Sequence, residues 1–130
     1  MIEDSTDRER LFRIAACLVL VVVLVASFLP PSMVAPGRWN LGHLPAYFVL
    51  TVVTLFAWMP HKRTVLVIVG IAALLCVLGL LIELSQPLVG RTSSLIDLTY
   101  NMIGVFTGVA VYVVSVRLQR EYAVKAKQEC

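Results

Sequence analysis

Residues 83–108 read ELSQPLVGRTSSLIDLTYNMIGVFTG, and the fold turns on this stretch. It places Glu83, Gln86, Arg91, Asp97 and Asn101 between two segments apolar enough to lie in lipid. Ionisable groups at such depth are costly unless they are paired or used. Pro87 breaks the helix that carries Glu83, and Gly90 permits the sharp loop by which the chain turns back. The stretch therefore reads as two apolar helices joined by a polar head.

Outward from there, the chain of 130 residues is 59% hydrophobic, with a mean hydropathy of +0.89. A soluble core of this size cannot hide so much apolar matter, so lipid must be the solvent for most of it. A spanning helix needs roughly 20 residues to cross about 30 Å of hydrocarbon. Four stretches qualify, about 11–29, 41–59, 64–84 and 95–116, followed by a polar tail over about 117–130. The expected fold class is all-α: a single integral membrane domain built as a four-transmembrane-helix bundle.

The net charge of +3 does not point to nucleic acid, because the basic residues lie at helix ends rather than on one face with interleaved aromatics. Arg8, Arg10, Arg13, Lys62, Arg63, Arg117, Arg120, Lys125 and Lys127 fall on one side, against Arg38 and Arg91 on the other. The positive-inside bias then puts both termini in the cytoplasm and the 83–97 loop outside. Cys17 and Cys76 fall inside spans and Cys130 on the tail, so no disulfide framework is expected. The first apolar run has no clear small-residue cleavage site after it and reads as a retained anchor helix rather than a secretory signal.

Local signals refine this outline. Thr6–Glu9 spells T-D-R-E, a capping-box pattern leading into the first span, which Pro30-Pro31 stop. Trp39 sits where an amphipathic ring anchors at the headgroup level. Asn40 caps the second helix, or Pro45 marks its first turn. His43, Tyr47, Thr51 and Thr54 share one helical face directed at other helices, the two threonines reading as interhelical or backbone-bonded hydroxyls. Gly79, one turn before Glu83, allows a close neighbour. Ser94–Asp97 spells S-L-I-D, a capping box with Asp97 at the positive end of the helix dipole. Asp97, Asn101, Gly104 and Gly108 form one stripe, its glycines suited to close helix packing.

With the termini inside, the start of span two, the end of span three and the start of span four meet at the outer face. His43, Tyr47, Glu83, Gln86, Arg91, Asp97 and Asn101 then converge within one or two helical turns of it. One reading is a polar network that fixes helix register. The other is a headgroup site in which Arg91 grips a phosphate or carboxylate, Tyr47, Gln86, Asp97 and Asn101 complete the ligand contacts, and Glu83 and His43 serve as a general base and acid pair. Ser93 and Ser94 look like loop and cap residues, so no nucleophile is evident. One histidine and no HExxH-like spacing make a metal site from His43, Glu83 and Asp97 a minor alternative, and neither a metal nor a cofactor is expected.

The residues H-x-x-x-Y at His43 and Tyr47, E-x-x-Q at Glu83 and Gln86, the arginine at Arg91, and D-x-x-x-N-x-x-G-x-x-x-G from Asp97 to Gly108 resemble the VanZ-like membrane proteins of bacteria. The set covers residues 43–108, half of the chain. The Asp-Lys pair that usually precedes the histidine is replaced here by Asn40-Leu41. The resemblance implies a multi-pass protein of the bacterial plasma (inner) membrane, in a family whose founding members are linked to resistance to teicoplanin, a lipoglycopeptide directed at lipid-linked wall precursors. It implies no established reaction. The first expectation is a protein that binds, and chemically processes if it is an enzyme, a membrane lipid or lipid-linked glycan precursor. The alternative is a non-catalytic helper that packs against a membrane-protein partner or a second copy of itself, with the polar cluster structural. A transport path is disfavoured, because below Asn101 the facing stripes carry no ionisable relay.

Overall fold

The computed structural model of the protein describes residues 3–30, 39–58 and 64–128. Four helices follow in order: α1 (Glu3–Ser27), α2 (Trp39–Trp58), α3 (Val65–Ser85) and α4 (Leu95–Gln128), with a 3-10 turn at Gln86–Val89 between the last two. No strand occurs among the described residues. Three helices, α1, α3 and α4, are long and apolar enough to cross a membrane; the apolar part of α2, Gly42–Trp58, is shorter. The protein is thus all-helical with three helices of spanning length. Arg38, His61, Lys62, Arg63, Cys130 and the side chains of Trp39 and Asn40 lie outside the described residues.

The helix boundaries differ from the sequence expectation in instructive ways. Helix α1 begins at Glu3, so the T-D-R-E pattern lies within it rather than capping it. It ends at Ser27, because the residue before Pro30 is forced out of the helical region. Helix α2 starts at Trp39, so Asn40 is not its cap and Pro45 sits well inside it. A proline there forfeits one backbone hydrogen bond, and the apolar environment on both sides keeps the rest of the helix formed. Helix α4 runs on through Gln128 because Arg, Leu, Gln, Glu, Ala and Lys in the polar tail are all good helix formers.

Helices α2 and α4 run parallel and make the main contact, with α1 against α2 and α3 against α4. The glycine stripe makes this closeness possible. A Cβ built on Gly104 would stand 2.5 Å from the Leu44 carbonyl oxygen and 3.0 Å from the Phe48 nitrogen, and one on Gly108 would stand 2.8 Å from Thr51 Cβ. At the end remote from Glu83, Phe12 stacks on Phe56 (5.4 Å between centroids) and Tyr112 meets Phe56 edge-on (5.0 Å). The buried core is thin: Val23, Tyr47, Leu50, Leu75, Ile82 and Val105 form its larger part. Leu66, Leu74, Leu81, Leu84, Val114 and many other large apolar side chains point outward, as they must where lipid rather than water surrounds the chain.

Candidate functional site

The polar chamber is built at the end of the protein where α2 and α4 begin and α3 ends. Glu83 closes α3, Gln86 opens the 3-10 turn, and Pro87 holds that turn away from the α-helical path. Gly90 then adopts φ +77°, a left-handed conformation that glycine takes without steric cost, and its N–H returns to the Gln86 and Pro87 carbonyls. This reversal carries the chain to Ser94, the residue before α4.

Six of the seven residues singled out in the sequence face inward together. His43, Tyr47, Glu83, Gln86, Asp97 and Asn101 are all buried, Gln86 and Asn101 completely. One ligating atom from each of His43, Glu83 and Asp97 lies within 4.8 Å of the other two. His43 Nδ1 is 3.0 Å from Asn101 Oδ1. With the amide oriented this way, Nδ1 is the donor of this bond. Gln86 Nε2 donates to Glu83 Oε1 at 3.4 Å, and the Ser94 backbone N–H donates to Glu83 Oε2 at 3.2 Å.

The capping box at the start of α4 is only half made. Ser94 Oγ accepts the Asp97 N–H at 3.3 Å, as the S-L-I-D pattern predicts. The reciprocal bond, from the Ser94 N–H to an acid three residues on, goes to Glu83 instead. Asp97 is thereby released toward the chamber, and its Oδ1 has no hydrogen-bond partner. Tyr47 Oη, Gln86 Oε1 and Asn101 Nδ2 are also buried without a partner. All four such atoms among the described residues belong to this one cluster. Each costs about 1–3 kcal/mol if left unpaired, so water or another group is expected to complete the chamber.

Gly79 supplies a wall. A Cβ there would stand 3.2 Å from Asn101 Nδ2 and 3.3 Å from Tyr47 Oη, so the glycine leaves just the room that these two polar ends occupy. Thr51 proves backbone-bonded, its hydroxyl donating to the Tyr47 carbonyl at 2.7 Å.

Arg91 takes a different place. Its Nη1 donates to the Ser27 carbonyl at 2.8 Å and to that of Ala26 at 3.5 Å, so it caps the C-terminal end of α1. There it borders an open cleft of about 110 Å³ lined by Val23, Ala26 and Ser27 of α1, by Gly42, His43, Ala46 and Tyr47 of α2, and by Arg91 itself. The contribution of α1 was missed in the sequence, where that helix looked purely apolar; Ser27, the polar residue at its end, was the available signal. Among the described residues neither Glu83 nor Asp97 forms an ion pair with Lys or Arg.

Comparison with known proteins adds no relative: no family model, no curated protein and no solved structure matches the chain.

Proposed function

We propose that this is a VanZ-like, four-span protein of the bacterial plasma membrane, with both termini cytoplasmic, and that its chamber and cleft bind the anionic headgroup of an envelope amphiphile at the outer leaflet. The observation that carries the reading is the cleft between α1 and α2. It joins apolar walls (Val23, Ala26, Ala46) to a guanidinium (Arg91) and two buried polar groups (His43, Tyr47). An amphiphile needs that sequence of surfaces: hydrocarbon beside α1 and α2, an anion at Arg91, and hydrogen-bonding groups beyond.

Size narrows the ligand. A pocket for a whole drug-sized ligand measures roughly 300–1,000 Å³, whereas one water needs only about 10–15 Å³. At about 110 Å³ the cleft admits a phosphate-sized group and not an entire glycan. A lipid-linked wall precursor would therefore insert its phosphate and leave its sugars outside. By the same resemblance the proposal extends to teicoplanin tolerance, through masking or altering the drug's membrane-bound target.

A second reading is favoured by a specific feature: the His43–Asn101 and Glu83–Ser94 contacts join α2 to α4 and α3 to the start of α4, as a purely structural network in a membrane-protein helper would. Native mass spectrometry of the full chain from nanodiscs containing phosphatidylglycerol and phosphatidylethanolamine separates the two. The binding reading expects retained phosphatidylglycerol, lost in Arg91→Ala. Absence of any retained lipid, or equal retention by the variant, contradicts it.

A further inference from the structure

We propose that His43, Glu83 and Asp97 hold one divalent first-row metal ion of the Zn²⁺ or Mn²⁺ type. The site does not depend on the lipid reading; it follows from charge, spacing and the way each ligand is supported.

Charge comes first. Two carboxylates in a buried chamber, each within 4.8 Å of the other and of an imidazole, have no Lys or Arg partner among the described residues. In a medium of low dielectric such a pair repels, and burying one charge without compensation is already costly. A divalent cation between them balances both charges at one point. Two buried carboxylates without a cation between them are otherwise hard to reconcile with a thin, lipid-surrounded core.

Spacing comes second. Ligand atoms on a tetrahedral ion with bonds near 2.1 Å stand ~3.4 Å apart. The three donor atoms lie within 4.8 Å of one another, so small side-chain rotations close them onto an ion. They come from three different helices, α2, α3 and α4, whose mutual positions are fixed by Gly79, Gly104 and Gly108.

Support comes third, and it is independent of the three ligands themselves. Metal-binding histidines characteristically donate their second ring nitrogen to an oxygen acceptor, and ligating carboxylates are themselves hydrogen-bonded. Here His43 Nδ1 faces Asn101 Oδ1, which leaves Nε2 as the ligand atom. Glu83 receives the Gln86 amide and the Ser94 N–H. The Asp97 backbone N–H is held by Ser94 Oγ, while Asp97 Oδ1 has no hydrogen-bond partner in the chamber. Gln86 Oε1, Asn101 Nδ2 and Tyr47 Oη, all at least nine-tenths buried and unpartnered, offer an acceptor, a donor and a hydroxyl to water or ligand on the ion's open positions. One imidazole with two carboxylates suits Zn²⁺ or Mn²⁺ better than the all-oxygen preference of Mg²⁺ and Ca²⁺.

The test uses the full chain without an affinity tag, purified in detergent and stripped with EDTA. Zn²⁺ and Mn²⁺ are titrated separately, with Mg²⁺ and Ca²⁺ for comparison, reading bound metal by native mass spectrometry and stability by the unfolding temperature. We expect one Zn²⁺ or Mn²⁺ per chain, a rise in unfolding temperature that EDTA reverses, and weaker binding of Mg²⁺ and Ca²⁺. His43→Gln and Asp97→Asn should each lower affinity by more than the ~10–100-fold typical of losing an outer partner, which is the effect expected for Asn101→Leu. Equal affinity in wild type and Asp97→Asn overturns the site. If a ligand variant does not fold, the wild type decides alone: no bound ion, or no EDTA-reversible stabilisation by either metal, overturns it.

Discussion

The Ser94 backbone N–H donates to Glu83 Oε2 at 3.2 Å, and not to the Asp97 carboxylate with which Ser94 would complete a capping box. One bond thereby does two things. It orients Glu83 from the end of α3, and it turns Asp97 at the start of α4 into a free acceptor inside the chamber.

The two bonds of Ser94 can be separated. Ser94→Ala removes the hydroxyl that accepts the Asp97 N–H and leaves the backbone donor to Glu83 in place. Stability should fall by about 1 kcal/mol, the usual loss for a helix N-cap, while Zn²⁺ affinity stays within about tenfold of wild type, since the Ser94 N–H still supports Glu83 and the lost hydroxyl touches no ligand atom. Thermal unfolding in detergent, with and without the ion, checks both.

The glycine contacts predict a graded series. Gly104→Ala drives a methyl onto the Leu44 carbonyl and should cost about 1–3 kcal/mol as overpacking. Gly108→Ala, against Thr51 and the Phe48 carbonyl, should cost a similar amount. Gly70→Ala meets nothing within 4 Å and should be neutral, or stabilising by up to ~1 kcal/mol through helix propensity. Equilibrium unfolding of the three variants gives the ranking directly; a destabilised Gly70→Ala beside a tolerated Gly104→Ala would reverse it.

Arg91 carries both a structural and a recognition consequence. Losing its bonds to the Ser27 and Ala26 carbonyls in Arg91→Ala should lower stability by about 1–2 kcal/mol. Arg91→Lys keeps the charge without the planar fork, so retention of phosphatidylglycerol should be partly preserved while the helix cap is weakened. Lipid retention and unfolding midpoints of the two variants separate the roles.

Orientation is open to chemical labelling. In a background with Cys17, Cys76 and Cys130 replaced by serine or alanine, Thr92→Cys and Lys125→Cys both place a thiol at an exposed position. The distribution of Lys and Arg predicts that an impermeant maleimide added to intact cells modifies only the cysteine at position 92. The reverse pattern would invert the topology and move the chamber to the cytoplasmic side.

Much of this architecture was legible because membrane helices leave few choices. Apolar length marked the helices, Pro87 and Gly90 marked the reversal, and alternating directions necessarily bring the start of α2, the end of α3 and the start of α4 together. His43, Tyr47, Glu83, Gln86, Asp97 and Asn101 converge for that reason. The first residue of α2 was not legible, since a proline seven positions into a helix leaves no local stop signal when packing decides the outcome. Nor was the length of α4, whose polar tail satisfies helix propensity as well as it satisfies solvent. The nearness of Arg91 to the end of α1 depends on how α1 docks against α2, which an evenly apolar helix does not encode in its pattern. The His43, Glu83 and Asp97 triad was legible only as a minor metal alternative, because its members come from three helices with no short spacing to announce them.

The central claim is that the chamber is shaped for a ligand rather than for holding the helices together. The most direct measurement is the unfolding midpoint of EDTA-treated Asp97→Asn beside wild type. A binding site should be relieved by removing one of two close carboxylates, so the midpoint should hold or rise, by about 0.5–2 kcal/mol in stability, the gain common to single stabilising substitutions. A clear fall in the midpoint would show Asp97 to be a structural member of the helix packing and would contradict the account.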